Sequence, residues 1–205
     1  MNSRQPTTHE SVFNRVLWLY GLYMLLSNAA YLFGYYLLPE GFMRSSPAVA
    51  IGGQIATAGT FWSEFALTFL FNLGVVVVFA VLLNLIQVKG FHLGYLWLIS
   101  IGIISGLISG SNSFAASDLK QYNAWDGMAL NLSIGGLEML AFVLIITSTV
   151  SLGVYQYQSW WQWKSTKVMN LRDVRLSRAE LLCLIFGILL LIIAAYRETA
   201  MRINM

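Results

Sequence analysis

The chain has 205 residues, of which 58% are hydrophobic and only 10% charged, with a formal net charge of +3. A soluble domain carries about 25% charged residues, so this composition places the chain in a bilayer and leaves no polar stretch for a second core. The small positive balance gives no case for nucleic acid, and the single cysteine, Cys183, excludes an internal disulfide or a multi-cysteine metal site.

Residues 1–15 read as a polar segment ahead of the first helix. A spanning helix takes about 20 mostly apolar residues, and five stretches meet that need. The first, 16–38, is stopped by Pro39; it exceeds a signal-peptide core and no small-x-small cleavage site stands out after it, so it reads as a retained anchor. The stretch 48–60 is apolar but too short to span and holds Gly52, Gly53 and Gly59; it reads by default as a loop, with a re-entrant or surface-lying segment as the alternative. The second and third spans are 64–86 and 93–114. The fourth is 129–152 and the fifth 179–196, the last preceded by Ser177 and Glu180 at capping-box spacing.

Between the last two spans, residues 155–178 carry Trp160, Trp161 and Trp163, then Lys164, Lys167, Arg172, Arg175 and Arg178. Aromatic rings favour the headgroup level and basic side chains favour anionic lipid, so this segment reads as an interfacial helix or hairpin. With the amino terminus inside, eight basic residues lie inside (Arg4, Arg15, Lys89, Lys164, Lys167, Arg172, Arg175 and Arg178) and four outside (Arg44, Lys120, Arg197 and Arg202). That asymmetry favours a cytoplasmic amino terminus and an external carboxyl terminus. The expected fold class is therefore an all-α integral membrane bundle of five transmembrane helices, amino terminus inside.

Two carboxylates stand out, Glu138 inside the fourth apolar run and Glu198 at the outlet of the fifth. A charge near mid-bilayer costs at least ~2.5 to 3.5 kcal/mol, so each needs compensation. On the second span Glu64, Thr68 and Asn72 share one face, with Asn72 roughly 12 Å deep by helical rise. On the fourth, Asn131, Gly135 and Glu138 share a face, with Glu138 roughly 14 Å deep. Ser105, Ser109 and Asn112 line the outer end of the third span, Asn28 lies near mid-depth on the first, and the fifth delivers Arg197 and Glu198 to the outer surface. These spacings predict a polar core in the outer half of the bundle. In it a protonated or hydrogen-bonded Glu138 faces Asn72, and Arg197 is the partner of Glu64. Such a core can fix helix register, hold an ion, proton or substrate, or receive a partner's helix.

Gly102, Gly106 and Gly110 form a doubled G-x-x-x-G on the third span, which lets another helix approach closely but does not say whose helix it is. The chemistry of an enzyme is not visible. There is no H-E-x-x-H, no phosphate-binding loop and no His/Cys cluster for zinc, so no metal or cofactor is implied. His9 and His92 are the only histidines. On one continuous helix His92 and Ser109 would lie roughly 25 Å apart, which excludes a catalytic dyad.

Three stretches resemble the stage II sporulation protein M family. Phe69–Gly74 (FLFNLG) matches an apolar run ending in asparagine, at Asn72. Gly136–Gly153 (GLEMLAFVLIITSTVSLG) matches a glycine-leucine-glutamate helix, at Glu138, and Leu190–Glu198 (LLIIAAYRE) matches the closing helix, at Glu198. The likeness covers roughly residues 60–200. The chain departs from the family at Ile134-Gly135, where histidine-glycine is usual, at Leu140, where proline is common, and at Asn112-Ser113, where asparagine-glycine stands.

The resemblance implies about five spans and no active site. It implies a scaffold or accessory subunit in the bacterial cytoplasmic membrane, serving peptidoglycan remodelling or the maturation, export or immunity of a circular bacteriocin. The implied partners are the lipid bilayer and other integral membrane proteins, a separate ATP-binding subunit among them; a homo-oligomer also fits. Two alternatives stand beside it. One is the permease part of an ATP-driven exporter. The other is an accessory subunit of an energy-transducing complex that docks through the glycine face.

Overall fold

The computed structural model describes residues 11–114, 123–161 and 164–203. It is an all-α helical bundle with one small sheet. The helices are α1 (Val12–Leu37), α2 (Pro47–Ala56), α3 (Phe61–Leu83), α4 (Leu93–Gly110), α5 (Ala124–Ser148) and α6 (Arg178–Ile203). All except α2 are long and apolar enough to cross a membrane, so the chain is a multi-pass membrane protein.

Caps explain why the helices overrun the apolar runs. The Ser11 hydroxyl accepts from the Asn14 amide at 3.2 Å and starts α1, and Thr60 does the same for Ser63 at 3.2 Å and starts α3. Asn123 accepts from the Trp125 and Asp126 amides, which starts α5 five residues ahead of the apolar boundary at Ala129. The box before α6 closes in both directions, Ser177 amide to Glu180 Oε2 at 2.9 Å and Glu180 amide to Ser177 Oγ at 3.2 Å. At the other limit, Asn112 with φ of 47° ends α4 before the expected Phe114. The default loop at 48–60 is instead mostly helical. Ser46 caps it and Pro47 occupies its first turn, where a missing N–H does no harm.

Packing is built on two tight helix pairs. The glycine stripe of α4 lies on α1. A methyl on Gly102 would strike the Tyr23 ring, one on Gly106 the Ser27 carbonyl, and one on Gly110 the Tyr31 carbonyl. Gly34 of α1 returns the contact, its backbone close against Leu107 and Ser111. Numbers rise together along both helices, so the pair is parallel. In the second pair, Gly187 of α6 sits against Ala141, Leu144 and Ile145 of α5, antiparallel. Between the pairs lies α3, with Phe61 and Phe65 edge-on to Tyr196 of α6 at 5.2 and 6.2 Å.

The central helix is α5. Of its apolar window 61% is buried, against 28–33% for the other spans. Its Phe142, Ile145 and Ile146 form one apolar core with Leu19 and Tyr23 of α1, Leu98 of α4 and Leu191 of α6. The outward faces of α1, α3 and α6 leave Leu17, Leu25, Leu70, Leu182, Phe186 and Ile193 exposed. Those faces suit lipid tails.

These pairings give the bundle two ends. One, the basic end, gathers the start of α1, the α3–α4 connection and the α5–α6 connection; the far end gathers the rest. The basic end carries a four-stranded sheet in the order β2-β1-β3-β4, with β1 (Ile86–Val88), β2 (Phe91–His92), β3 (Tyr155–Tyr157) and β4 (Thr166–Lys167). Lys89 and Gly90, both at positive φ (51° and 84°), make the two-residue turn between β1 and β2. A parallel β1–β3 pair then ties one connection to the other. Of the two forms expected for the interfacial segment at 155–178, a helix or a hairpin, the structure has the hairpin, β3 paired antiparallel with β4, followed by a 3-10 turn.

Gly106→Ala should lower stability by about 1–3 kcal/mol through overpacking. Gly52→Ala, with nothing within 4 Å of the added methyl, should be neutral or slightly stabilising, since alanine is the better helix former. Thermal unfolding of both variants in one detergent tests the contrast. Equal midpoints would mean that α1 and α4 do not depend on this stripe.

Candidate functional site

Part of the expected polar core of the far half meets on Glu138. The Asn72 amide of α3 donates from Nδ2 to Glu138 Oε1. The Glu198 carboxyl of α6 and the Tyr23 hydroxyl of α1 both lie within electrostatic reach of Glu138. Gly102 of α4 backs the Tyr23 ring. All five spans therefore contribute to one place. A site of this kind can hold a proton or a polar group, because its acceptors are converged and largely screened from water.

The backbone of α3 is unusual here. Residues Asn72–Val78 form a π-helical stretch that begins at the very residue facing Glu138. Bonding to the fifth residue loosens the normal ladder, and such stretches recur at functional sites. The Val75 carbonyl receives the Trp97 indole N–H at 3.2 Å, so α4 covers a backbone group on α3.

The remaining expected members divide. Glu64 and Thr68 are buried on the same α3 face, two turns and one turn respectively from Asn72 toward the far end. Asn131 accepts from Ser109 at 2.9 Å, joining α5 to α4 at a separate point. Asn112 lies outside the group, donating to Glu40 at 3.0 Å in the connection after α1. Asn28 donates to the Met24 carbonyl of its own helix at 2.8 Å and does not reach across. Arg197 is half-buried. The two ion pairs described, Arg15–Glu180 and Glu40–Arg44, do not include the expected Arg197–Glu64 pair, and neither involves Glu138 or Glu198. At the other end, Trp160, Trp161, Lys164, Lys167, Arg172 and Arg175 are exposed; Trp163 lies outside the described residues.

A second polar cluster, at the basic end, is missed by sequence reasoning. Arg15 of α1 and Glu180 of α6 pair at 2.9 Å with side chains only 9% exposed. Asn84, fully buried at the end of α3, donates to the Ile146 carbonyl and to Thr149 Oγ1, both at 2.9 Å. Its own carbonyl accepts from His92 Nδ1 at 3.2 Å, which leaves Nε2 as the bare nitrogen. Gly153 lies against His92 and the buried Gln87, where a side chain would not fit easily. Burial pushes the His92 imidazole below its ordinary range; the Asn84 carbonyl opposes this and the Arg15 charge adds to it. Arg15 and Glu180 escape notice because a charge at the end of an apolar run looks like any solvated loop charge. The available signal is that both lie in the first turn of helices that begin at the same end of the bundle.

Among the described residues, no three His, Cys, Asp or Glu side chains gather in a way that could hold a metal ion. A comparison with known proteins finds no matching family model, no matching curated protein and no matching solved structure.

His92 predicts a pH dependence with a definite sign. Below the ordinary histidine range of about 6.5 the unfolded chain takes up a proton that the folded chain refuses. This contribution is complete above about 6.5 and is lost as pH falls toward the folded-state value, at up to about 1.4 kcal/mol per pH unit. Unfolding midpoints from pH 8 to pH 5 should fall more steeply for the native chain than for His92→Gln. Glu180→Gln strands the Arg15 charge and should destabilise by about 3–5 kcal/mol, while the paired Arg15→Met/Glu180→Leu variant should recover most of that. Denaturant titration in micelles distinguishes the two; equal losses would mean that the pair is not buried in the membrane-inserted protein.

Proposed function

We propose that the chain is a non-enzymatic, multi-pass subunit of the stage II sporulation protein M type. It assembles with other integral membrane proteins in the bacterial cytoplasmic membrane, with its basic end and amino terminus in the cytoplasm. The observation that carries this reading is that two intramembrane polar pairs close between helices, Asn72 to Glu138 and Ser109 to Asn131, while the outward helix faces are apolar. The apolar outward surface suits other helices. The exposed bases of the α5–α6 connection support the orientation. The setting, peptidoglycan remodelling or bacteriocin maturation and export beside an ATP-binding subunit, rests on the residues around Asn72, Glu138 and Glu198.

The glycine stripe of α4 is covered by α1, so the dock required by an energy-transducing accessory role is already taken. A partner helix would use the exposed faces of α3 or α6 instead. One observation favours a second reading, the permease part of an exporter. Glu138 and Glu198, on different spans, lie within electrostatic reach of each other, and acidic groups in a bilayer often mark proton or ion pathways in transporters.

Purification of the intact chain in mild detergent should bring down integral membrane partners in fixed ratio, read by mass spectrometry. A pure monomer would overturn the subunit reading. Glu138→Gln keeps an acceptor for Asn72 and should leave insertion, stability and assembly within about 1 kcal/mol of native. Loss of an export activity with assembly intact would favour the permease instead.

A further inference from the structure

We propose that the sheet end of the bundle is a docking surface for the headgroups of anionic phospholipids. The inference needs neither the orientation nor the partner proposed above, only that the chain spans a bilayer.

Lys164, Lys167, Arg172, Arg175 and Arg178 are all exposed on the α5–α6 connection. The only acid among residues 164–179 is Asp173, and it accepts from Asn170 Nδ2 at 3.1 Å. The stretch therefore carries five positive charges against one negative. It is also held in place. Strand β3 pairs with β1 in parallel and with β4 antiparallel, with Lys167 opposite Tyr155, and the Val168 amide donates to the Val154 carbonyl at 2.9 Å. Residues 155–157 and 166–168 of the connection are thus tied through β1 to the end of α3.

Its height is fixed by the same ties. It leaves α5 just beyond Leu152 and enters α6 at Arg178, where the apolar spans stop. Trp161 is 91% exposed and Leu171 61% exposed among the bases, and Trp160 leans on Phe91 at 6.2 Å. Large apolar groups beside exposed cations match a boundary with hydrocarbon on one side and negative headgroups on the other. A freely soluble anion would match the bases but leave Trp161 and Leu171 in water.

The test uses the intact chain in mild detergent, with phosphatidylglycerol or phosphatidylcholine added in equal amounts. Native mass spectrometry should show phosphatidylglycerol retained over phosphatidylcholine, with the preference falling about fivefold per neutralised base. The variant Lys164→Gln/Lys167→Gln/Arg172→Gln/Arg175→Gln should lose the preference and keep its unfolding midpoint in phosphatidylcholine. Lys164→Arg/Lys167→Arg should keep both. Equal retention of the two lipids by the native chain overturns the proposal, as does a preference that survives in the four-residue variant. Displacement of phosphatidylglycerol by free glycerol phosphate would mean a soluble-anion site, and a preference seen only with a co-purified protein would mean a protein-binding face; either overturns it.

Discussion

A carboxyl group set among lipid tails must find its partners on other helices, because no water is there to serve. Glu138 does so through Asn72, and the rest of the bundle is arranged around that requirement. The helix that carries it, α5, is the most enclosed of the spans. Its neighbours must approach closely enough for short polar side chains to touch it. The glycines make that approach available: Gly187 lets α6 close on α5, and Gly102 lets α4 close on the Tyr23 ring of α1. In lipid, where burial of apolar surface gives no net drive between helices, close packing and interhelical hydrogen bonds are what remain.

The two ends solve the same problem differently. At the far half the partners are a carboxyl and an amide, and the geometry leaves Glu198 nearby. At the basic end a full ion pair, Arg15–Glu180, is screened from water and reinforced by the helix cap that Glu180 also closes. A charged pair taken out of water contributes little net stability against an apolar pair of the same shape, but losing one member is severe. The pair therefore acts as a registration device that holds the start of α1 to the start of α6. The sheet above it, with β1 parallel to β3, fixes the other two connections relative to each other.

Much of this is legible in the sequence. The apolar runs give the spans, and the periodic placement of Asn72 and Glu138 inside such runs gives their meeting, since lone polar residues in lipid must turn inward. Ser177 and Glu180 announce their cap. The partner of the glycine stripe is not legible, because the spacing of Gly102, Gly106 and Gly110 specifies close approach and says nothing of which helix approaches. The sheet is not legible either. Its strands are two or three residues long, too short for alternation to rise above the aromatic and basic residues around them. Pro47–Ala56 was hidden by its glycines, which weaken a helix without forbidding one.

Asn84 was hidden for a more instructive reason. It lies twelve residues after Asn72, and along a regular α-helix that spacing rotates a side chain by about 120°, so the two should face different neighbours. Yet both reach α5, Asn72 at Glu138 and Asn84 at Ile146 and Thr149. The π-helical stretch Asn72–Val78 reconciles them. Its turns hold more residues, so each residue advances by a smaller angle, and seven of them take back most of the offset. The widened helix is therefore what allows α3 to be fastened to α5 at two depths, with the Trp97 indole covering the Val75 carbonyl in between. A reading of α3 at a constant helical period places Asn84 away from α5; the local change of period brings it back.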